Sequence, residues 1–179
     1  GRYAGWLALY SGVSGGADVI LIPEIPYDLD KVCECIIKRS RKGRRFSIVA
    51  VSEGAHEKRG KMVVKTIDAN SPDPIKLGGI AIKLAGDITK KTGLECREVV
   101  LGHVQRGGTP TPCDRALATN FGYTALELLM NGIKNHLVVF KNGKFLSVPL
   151  SKIAGKVRKV PLNYPLVKAA RGVGTSFGD

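Results

Sequence analysis

A short polar run between positions 101 and 110 carries the clearest chemical signal in the chain. It reads Leu-Gly-His-Val-Gln-Arg-Gly-Gly-Thr-Pro, so His103 and Arg106 lie three positions apart and the Gly107-Gly108 pair follows them. A guanidinium group binds phosphate through two parallel hydrogen bonds, and glycine lets backbone N–H groups approach a ligand closely. These residue types at this spacing predict an anion-binding loop.

The neighbouring elements would place this loop at the edge of a sheet. Arg97 to Leu101 has the short apolar character of a buried strand. After the loop, Thr111 can cap a helix, Pro112 suits its first turn, and Asp114 completes a capping-box pattern. Because open α/β sheets bind ligands beyond the carboxyl ends of their strands, we expect the loop to lie at that edge.

Two further polar side chains are expected at the same edge. Glu53 follows the apolar run 46–51, and Arg2 precedes the first helix pattern. A carboxylate can accept hydrogen bonds from hydroxyl groups, and cationic side chains can hold a phosphate. The combination suits a small ligand that is polyhydroxylated and phosphorylated. The alternative is that Glu53 forms a structural ion pair with a nearby lysine or arginine.

Strand and helix patterns alternate along the rest of the chain. We predict helices over 3–14, from Asp28 into the basic run 38–45, over 75–91 and over 112–130. We predict strands over 19–22, 46–51 and 97–101, a loop over 56–73 with a short edge strand at 62–67, and a hairpin of 137–140 and 145–148 around Asn142-Gly143. The alternation predicts an α/β fold with three layers and a mostly parallel sheet. The weakly patterned residues 172–179 are expected to be disordered.

Composition restricts the partners of the chain. The formal net charge of +13 favours anionic ligands. The densest basic run, 38–45, can be a solvated helix end, a site for a phosphate-bearing effector, or a nucleic-acid contact. Aromatic residues make up only 6% of the chain and none lies within that run, which argues against a surface that stacks single-stranded bases.

The cellular setting is expected to be the cytoplasm. Apolar runs stay below membrane-spanning length, and the first residues do not form a signal-peptide pattern. The four cysteines contain no Cys-x-x-Cys spacing, so we expect reduced thiols rather than a zinc site. The first residue is not methionine, from which we expect the chain to begin inside a longer protein.

Four motifs, in the same order, closely resemble the phosphofructokinase family. They are Gly1-Arg2, the stretch from Gly15-Gly16-Ala17-Asp18 to Pro23-Glu24, the acidic motif Ser52-Glu53-Gly54, and the run 101–110 continued by Asp114-Arg115. The resemblance covers roughly residues 1–140, and the run 101–110 matches the family signature nearly residue by residue.

The resemblance implies transfer of a phosphoryl group to the 1-hydroxyl of fructose 6-phosphate, with Mg²⁺. It places six residues at the substrate: Gly1, Arg2, Glu53, Arg97, His103 and Arg106. Arg2 would also stabilise the negative charge on the phosphoryl group during its transfer, as guanidinium groups do in such reactions. Glu53 would bind sugar hydroxyls, and His103 and Arg106 would hold the 6-phosphate. Arg97 resembles an arginine that reaches a neighbouring subunit's site, so a dimer or tetramer of identical subunits is implied.

The same resemblance implies an effector site. Lys42 and Arg44 fall where regulated family members hold effector phosphates, and Asp18 falls where many of them carry a glutamate. This glutamate is aspartate here, and Arg44 stands in place of the usual lysine.

Two family motifs are absent from the chain: the glycine-rich donor loop and the aspartate segment that supplies the catalytic base and organises Mg²⁺. We therefore interpret residues 1–110 as an incomplete lobe that binds fructose 6-phosphate, 111–150 as a return segment toward the donor lobe, and 151–179 as a carboxyl-terminal tail. No metal ligand is assigned here, and the chain alone is expected to be inactive.

The phosphoryl donor remains open between ATP and pyrophosphate. The stretch between Glu53 and Arg97 is long, as in pyrophosphate-using relatives, so a pyrophosphate-dependent phosphotransferase is one alternative. A regulatory paralogue without activity is a second. A basic nucleic-acid-binding module is the alternative from another class.

Overall fold

The computed structural model describes residues 1–67 and 75–179, which divide into two compact units. Unit 1 comprises residues 1–100 and 157–179, and unit 2 comprises residues 101–156. The elements of unit 1 are α1 (Trp6–Ser14), β1 (Val19–Leu21), α2 (Leu29–Arg41), β2 (Val49–Val51), β3 (Val64–Ile67), β4 (Ile75–Leu77), α3 (Ile80–Thr92) and, near the carboxyl end of the chain, α5 (Pro165–Gly172). The elements of unit 2 are a 3₁₀ turn (Gly102–Arg106), α4 (Pro112–Met130), β5 (His136–Lys141), β6 (Lys144–Pro149) and a second 3₁₀ turn (Leu150–Lys152).

Unit 1 has helices on both faces of a parallel strand pair. Strands β1 and β2 run parallel, with Val19 opposite Val49. Ile20 and Ile22 pack among residues of α1 and α5, whereas Val19 and Leu21 pack among residues of α2 and α3. Successive residues of β1 are fully buried because both faces are covered. The predicted α/β class and its three-layer arrangement are confirmed in this unit.

Helix α2 follows its sequence signals closely. Asp28 is the N-cap, and its side chain accepts a hydrogen bond from the backbone N–H of Asp30 at 2.9 Å. Three residues of its apolar stripe, Val32, Cys33 and Ile36, are buried. Cationic side chains occupy the last turn, where the helix dipole favours them.

The last eight residues of the chain are ordered and contribute to the core, so the predicted disorder of 172–179 is wrong. Phe177 is fully buried, and Ser176 pairs with Val19 beside β1. Arg171 on α5 contacts the Asp179 carboxylate with both terminal nitrogens and lies over the Phe177 ring. Weak local patterning failed as a guide because one aromatic side chain and one bidentate ion pair fix the segment.

The region before α3 is a strand pair rather than a helix start. Strands β3 and β4 are antiparallel, which confirms the edge strand predicted within 62–67. The helix predicted from residue 75 begins only at Ile80, after Gly79 at φ +86°. A left-handed glycine ends the strand and frees the chain to turn into the helix. The part of the predicted loop over 68–74 lies outside the described residues.

Unit 2 consists of α4 and an antiparallel hairpin. The hairpin turns at Asn142 and Gly143, with φ of +51° and +74°, as a tight Asn-Gly turn requires. Helix α4 packs on it through Phe121, whose ring meets Phe145 edge-on at 5.2 Å between centroids. Apolar side chains recur along one side of α4, as is typical of an amphipathic helix; those of Leu117, Phe121, Ala125 and Leu128 are half-buried, whereas Leu129 is exposed.

The prediction of a buried strand over 97–101 is wrong. These residues have no strand assignment, and Val99 and Val100 are 77% and 73% exposed. A β-branched apolar run becomes a strand only where another strand accepts its backbone hydrogen bonds. Among the described residues, no strand pairs with this run.

Candidate functional site

The first residues of the chain lie against the turn that follows β2. The Ser52 hydroxyl donates a hydrogen bond to the Gly1 carbonyl at 2.5 Å, and the Gly54 N–H donates to the same carbonyl at 3.3 Å. Ser52 is a buried polar residue, only 1% exposed. Glu53 lies between these two donors, so the structure brings Gly1, Arg2 and Glu53 together at the carboxyl ends of β1 and β2.

Gly54 permits the closest approach in this site. A Cβ at position 54 would lie 1.6 Å from the Arg2 carbonyl oxygen and 3.3 Å from Cγ of Pro23. Only a residue without a Cβ allows the two backbone segments to meet at this distance. The glycine of the acidic motif therefore sets how near the Arg2 backbone lies to the Ser52–Gly54 turn.

Glu24 binds the amino-terminal segment at Gly5, four residues after the Gly1 contact. Its carboxylate accepts hydrogen bonds from the Gly5 N–H at 3.0 and 3.1 Å and from the Val160 N–H at 2.8 Å. In the sequence, Glu24 stands out only as the last residue of the motif that runs from Gly15 to Pro23-Glu24. A Pro-Glu pair directly after a buried strand was the available signal.

Arg2 and Glu53 are both half-buried, and the Arg2 guanidinium lies 5.6 Å from the centre of the Tyr3 ring. A carboxylate can accept hydrogen bonds from ligand hydroxyls, and a guanidinium can stabilise negative charge. The two residues belong to adjoining backbone segments, and their binding of a phosphorylated polyol stays a prediction.

The predicted anion-binding loop forms a 3₁₀ turn in unit 2. His103 and Arg106 belong to this turn, and His103 is exposed. Gly108 follows at φ +100°, a conformation that favours glycine.

The start of α4 after the loop matches the predicted capping box. The Asp114 N–H donates to the Thr111 hydroxyl at 3.2 Å, and the Thr111 N–H donates to the Asp114 carboxylate at 2.9 Å. Hydrogen bonds from Thr111 lower the pKa of the Asp114 carboxyl below its ordinary value. Pro112 begins the helix, also as predicted. The capping box thus fixes the point at which the loop ends.

Arg97 lies on the surface of unit 1. Its Nε contacts a carboxylate oxygen of Glu95 at 2.9 Å, and the Arg97 side chain is 85% exposed. Such an exposed pair contributes little to stability, so the guanidinium can exchange partners at low cost.

The three candidate effector residues lie at the amino ends of β1 and β2, opposite Arg2 and Glu53. Asp18 is held in place, because Arg39 contacts its carboxylate at 2.8 Å and the Ile48 N–H donates to it at 2.8 Å. Lys42 and Arg44 are exposed just beyond α2. Lys42 also lines a shallow depression of about 570 Å³ on the outer face of α2.

Mg²⁺ in phosphoryl-transfer sites is bound by one or two carboxylates together with substrate phosphates and water. Glu53 is a single carboxylate of this kind. In the described parts of the chain, no group of three or more histidine, cysteine or acidic side chains is arranged to hold a metal ion.

The cysteine thiols are free, which agrees with the expected reduced state. Burial raises the pKa of the Cys33 and Cys35 thiols, so neither is activated as a nucleophile. Within residues 1–67 and 75–179, no helix combines the length and apolarity needed to cross a bilayer.

Comparisons with known proteins agree with these features. The family model described as Phosphofructokinase matches residues 1–129. A relative from Spirochaeta thermophila named ATP-dependent 6-phosphofructokinase is 44% identical over the whole chain, which covers 49% of that relative. ATP-dependent 6-phosphofructokinase 2 of Clostridium perfringens is 45% identical, again with 49% covered. The chain spans about half the length of the curated relatives it matches.

Solved structures show the same fold. The phosphofructokinase of Pichia pastoris in the T-state matches 85% of the chain with a TM-score of 0.64 and 33% identity, over 15% of that protein. The pyrophosphate-dependent phosphofructokinase of Marinobacter aquaeolei matches 93% of the chain with a TM-score of 0.70, over 42% of that protein; its 24% identity supports the fold alone. The family model, the ordered motifs and the fold agree, and the chain belongs to the phosphofructokinase family.

Proposed function

We propose that this chain is the part of a 6-phosphofructokinase that binds fructose 6-phosphate, and that the complete enzyme phosphorylates the 1-hydroxyl to give fructose 1,6-bisphosphate in glycolysis. The observation that supports the proposal is the contact between the Gly1 carbonyl and the Ser52–Gly54 turn, which brings the backbone of Gly1 and Arg2 against the turn that carries Glu53. A family arginine and a family carboxylate, distant in sequence, thus belong to adjoining segments.

The residue roles follow from this arrangement. Glu53 accepts hydrogen bonds from sugar hydroxyls, and Arg2 stabilises the negative charge that develops during phosphoryl transfer. Gly1 contacts the sugar through its backbone. His103 and Arg106 hold the 6-phosphate, and Arg97 reaches the 6-phosphate bound to a neighbouring subunit. The exposure of Arg97 and its weak pair with Glu95 support this last role, because the guanidinium is available to a partner.

The remaining requirements lie in the rest of the enzyme. The donor is ATP or pyrophosphate, and Mg²⁺ is bound by residues outside this chain. The enzyme is a cytoplasmic homo-oligomer, a dimer or tetramer, and residues 1–179 alone are inactive. Residues 1–110 serve the sugar phosphate, 111–150 lead back toward the donor lobe, and 151–179 form the carboxyl-terminal segment. Lys42, Arg44 and Asp18 border an effector site.

The test uses the full-length protein that contains this chain, assayed with fructose 6-phosphate and with ATP and pyrophosphate separately. Arg106→Ala is expected to raise the KM for fructose 6-phosphate by roughly 30- to 150-fold, because a lost charged hydrogen bond costs about 2–3 kcal/mol. Lys144→Ala removes an exposed cation of β6 and serves as the matched control, with unchanged KM. An Arg106→Ala enzyme with the parent's KM would refute the phosphate role, and no turnover with either donor would favour a regulatory paralogue.

A further inference from the structure

The Glu24 carboxylate joins three separate backbone segments of unit 1. It extends from the end of β1, accepts two contacts from the Gly5 N–H at 3.0 and 3.1 Å, and accepts a third from the Val160 N–H at 2.8 Å. Hydrogen bonds to an ionised acceptor are stronger than neutral ones. Glu24 is half-buried, so these contacts are only partly weakened by water.

The Gly5 contact satisfies one of the backbone donors at the start of α1. Gly5 is the N-cap of α1 and has no side chain that could bind the first backbone N–H groups. A side chain at this position cannot be accommodated, because a Cβ would lie 2.4 Å from Cβ of Ile22 and 2.9 Å from Oε2 of Glu24. The Glu24 carboxylate binds the N–H of the N-cap residue, as the glutamate of a capping box does, and its charge suits the positive end of the helix.

Arg2 lies between two hydrogen-bonded points of the backbone, Gly1 and Gly5. At one end, the Gly1 carbonyl is bound by the Ser52 hydroxyl and the Gly54 N–H. At the other end, the Gly5 N–H is bound by Glu24. Only three residues, 2–4, lie between these two points, which is too short a span to place Arg2 independently of them. Loss of the Glu24 attachment would release the α1 side of the segment.

We infer that Glu24 is a positioning residue: its carboxylate fixes the Gly1–Gly5 segment and so aims the Arg2 guanidinium at the transferring phosphoryl group. The inference rests on the proposed function, since it needs Arg2 to act in the reaction. Glu24 does not touch the substrate in this role. Its contribution appears in the rate of the chemical step and depends on the presence of Arg2.

The test compares kcat and KM in two backgrounds of the full-length enzyme, the parent and Arg2→Ala. In the parent background, Glu24→Ala is expected to lower kcat by about 10- to 100-fold, because a misplacement near 1 Å can cost about that factor. The KM for fructose 6-phosphate should change much less. In the Arg2→Ala background, the same substitution should change kcat by less than about twofold, because residues that act through one another are not additive.

Two further variants sharpen the comparison. Glu24→Gln keeps one acceptor oxygen, so its kcat should lie between those of the parent and Glu24→Ala, and it also serves if Glu24→Ala fails to fold. Glu34→Ala removes an exposed carboxylate from α2 in the same unit and should leave kcat and KM unchanged. Hydrogen–deuterium exchange should rise in Glu24→Ala over residues 1–8 and stay unchanged over α2.

The outcomes separate the inference from the proposed function. An equal loss of kcat in both backgrounds, or unchanged exchange over residues 1–8, would overturn the positioning role while the enzyme's activity stands. A parent enzyme that phosphorylates fructose 6-phosphate with neither donor would overturn the proposed function and this inference together. A kcat loss confined to the parent background, with faster exchange over residues 1–8, is the supporting result.

Discussion

Gly54→Ala is expected to displace Arg2 without removing any functional group. The added Cβ would lie 1.6 Å from the Arg2 carbonyl oxygen and 2.8 Å from its carbonyl carbon. Carbon–oxygen contacts in proteins settle at roughly 3.3 Å or more, so the two backbones must separate by about 1.7 Å. Neither partner is a flexible side-chain end, and the backbone itself has to move.

The magnitude follows from the required displacement. A shift of about 1 Å in a positioned catalytic group costs on the order of 100-fold in rate, so kcat should fall by about 100-fold or more. Overpacking of this kind also destabilises a fold by about 1–3 kcal/mol. Both effects are expected, and kcat must be expressed per folded enzyme.

The assay measures fructose 6-phosphate turnover by the full-length enzyme, together with its thermal unfolding midpoint. Gly86→Ala is the matched control, because position 86 lies inside α3 and a Cβ there meets nothing within 4 Å. The control should keep its kcat and gain about 1 kcal/mol of stability from the better helix former. The predicted backbone displacement would be refuted if the Gly54→Ala enzyme had a kcat within about threefold of the parent's and an unfolding midpoint within about 1 °C of it.

Two stability predictions concern other parts of the chain. Phe121→Ala should lower the free energy of unfolding, measured by urea titration, by about 2 kcal/mol. This is roughly half the loss expected for a fully buried phenylalanine, because Phe121 is half-buried against Phe145. The control Leu126→Ala changes an exposed side chain of the same helix and should alter the free energy of unfolding by less than about 0.5 kcal/mol. A hydrogen bond from Arg171 holds the pKa of the Asp179 carboxyl below its ordinary value. The ion pair therefore stabilises the fold at pH values above the unfolded-state pKa of about 3.9. This stabilisation is lost as the pH falls through the lower pKa of the folded state. Asp179→Asn should therefore be less stable than the parent at pH 7 and equally stable at about pH 2, as acid titration followed by circular dichroism can check; equal stability at both pH values would contradict this.

Local signals predicted the elements whose cause is local. Asp28 and Thr111 each accept a hydrogen bond from their own helix, and Asn142-Gly143 supplies the dihedral angles of its own turn. These interactions involve residues within four positions of one another, so a single stretch of sequence contains the whole cause.

The wrong predictions share a different cause. Val99 and Val100 have strand propensity, but a strand also needs a neighbour that accepts its hydrogen bonds. Residues 172–179 look unpatterned, yet Phe177 fills the core and Asp179 meets Arg171. In each case the outcome depends on a partner distant in sequence, which periodicity does not report.

Helix α4 shows the same distinction within one element. Its length and both ends were predicted, because the capping box and Asn131 mark them locally. Its apolar stripe was also indicated by the sequence, but no residue of α4 is fully buried, and Leu129 of that stripe is 60% exposed. Periodicity identifies the apolar side of a helix, whereas burial depends on what covers that side.

The candidate site was predictable where motifs carried side-chain chemistry. Arg2 and Glu53 were identified because a guanidinium and a carboxylate suit a phosphorylated sugar. Glu24 was missed because its partners are the backbone N–H groups of Gly5 and Val160, and every residue except proline offers such a donor. A carboxylate that accepts hydrogen bonds from the backbone needs no lysine or arginine partner, so no cationic residue in the sequence indicates where it binds. Residues that hold a catalytic side chain in place through the backbone are therefore the ones that sequence reasoning finds last, and the dependence of Glu24→Ala on Arg2 is the measurement that reveals them.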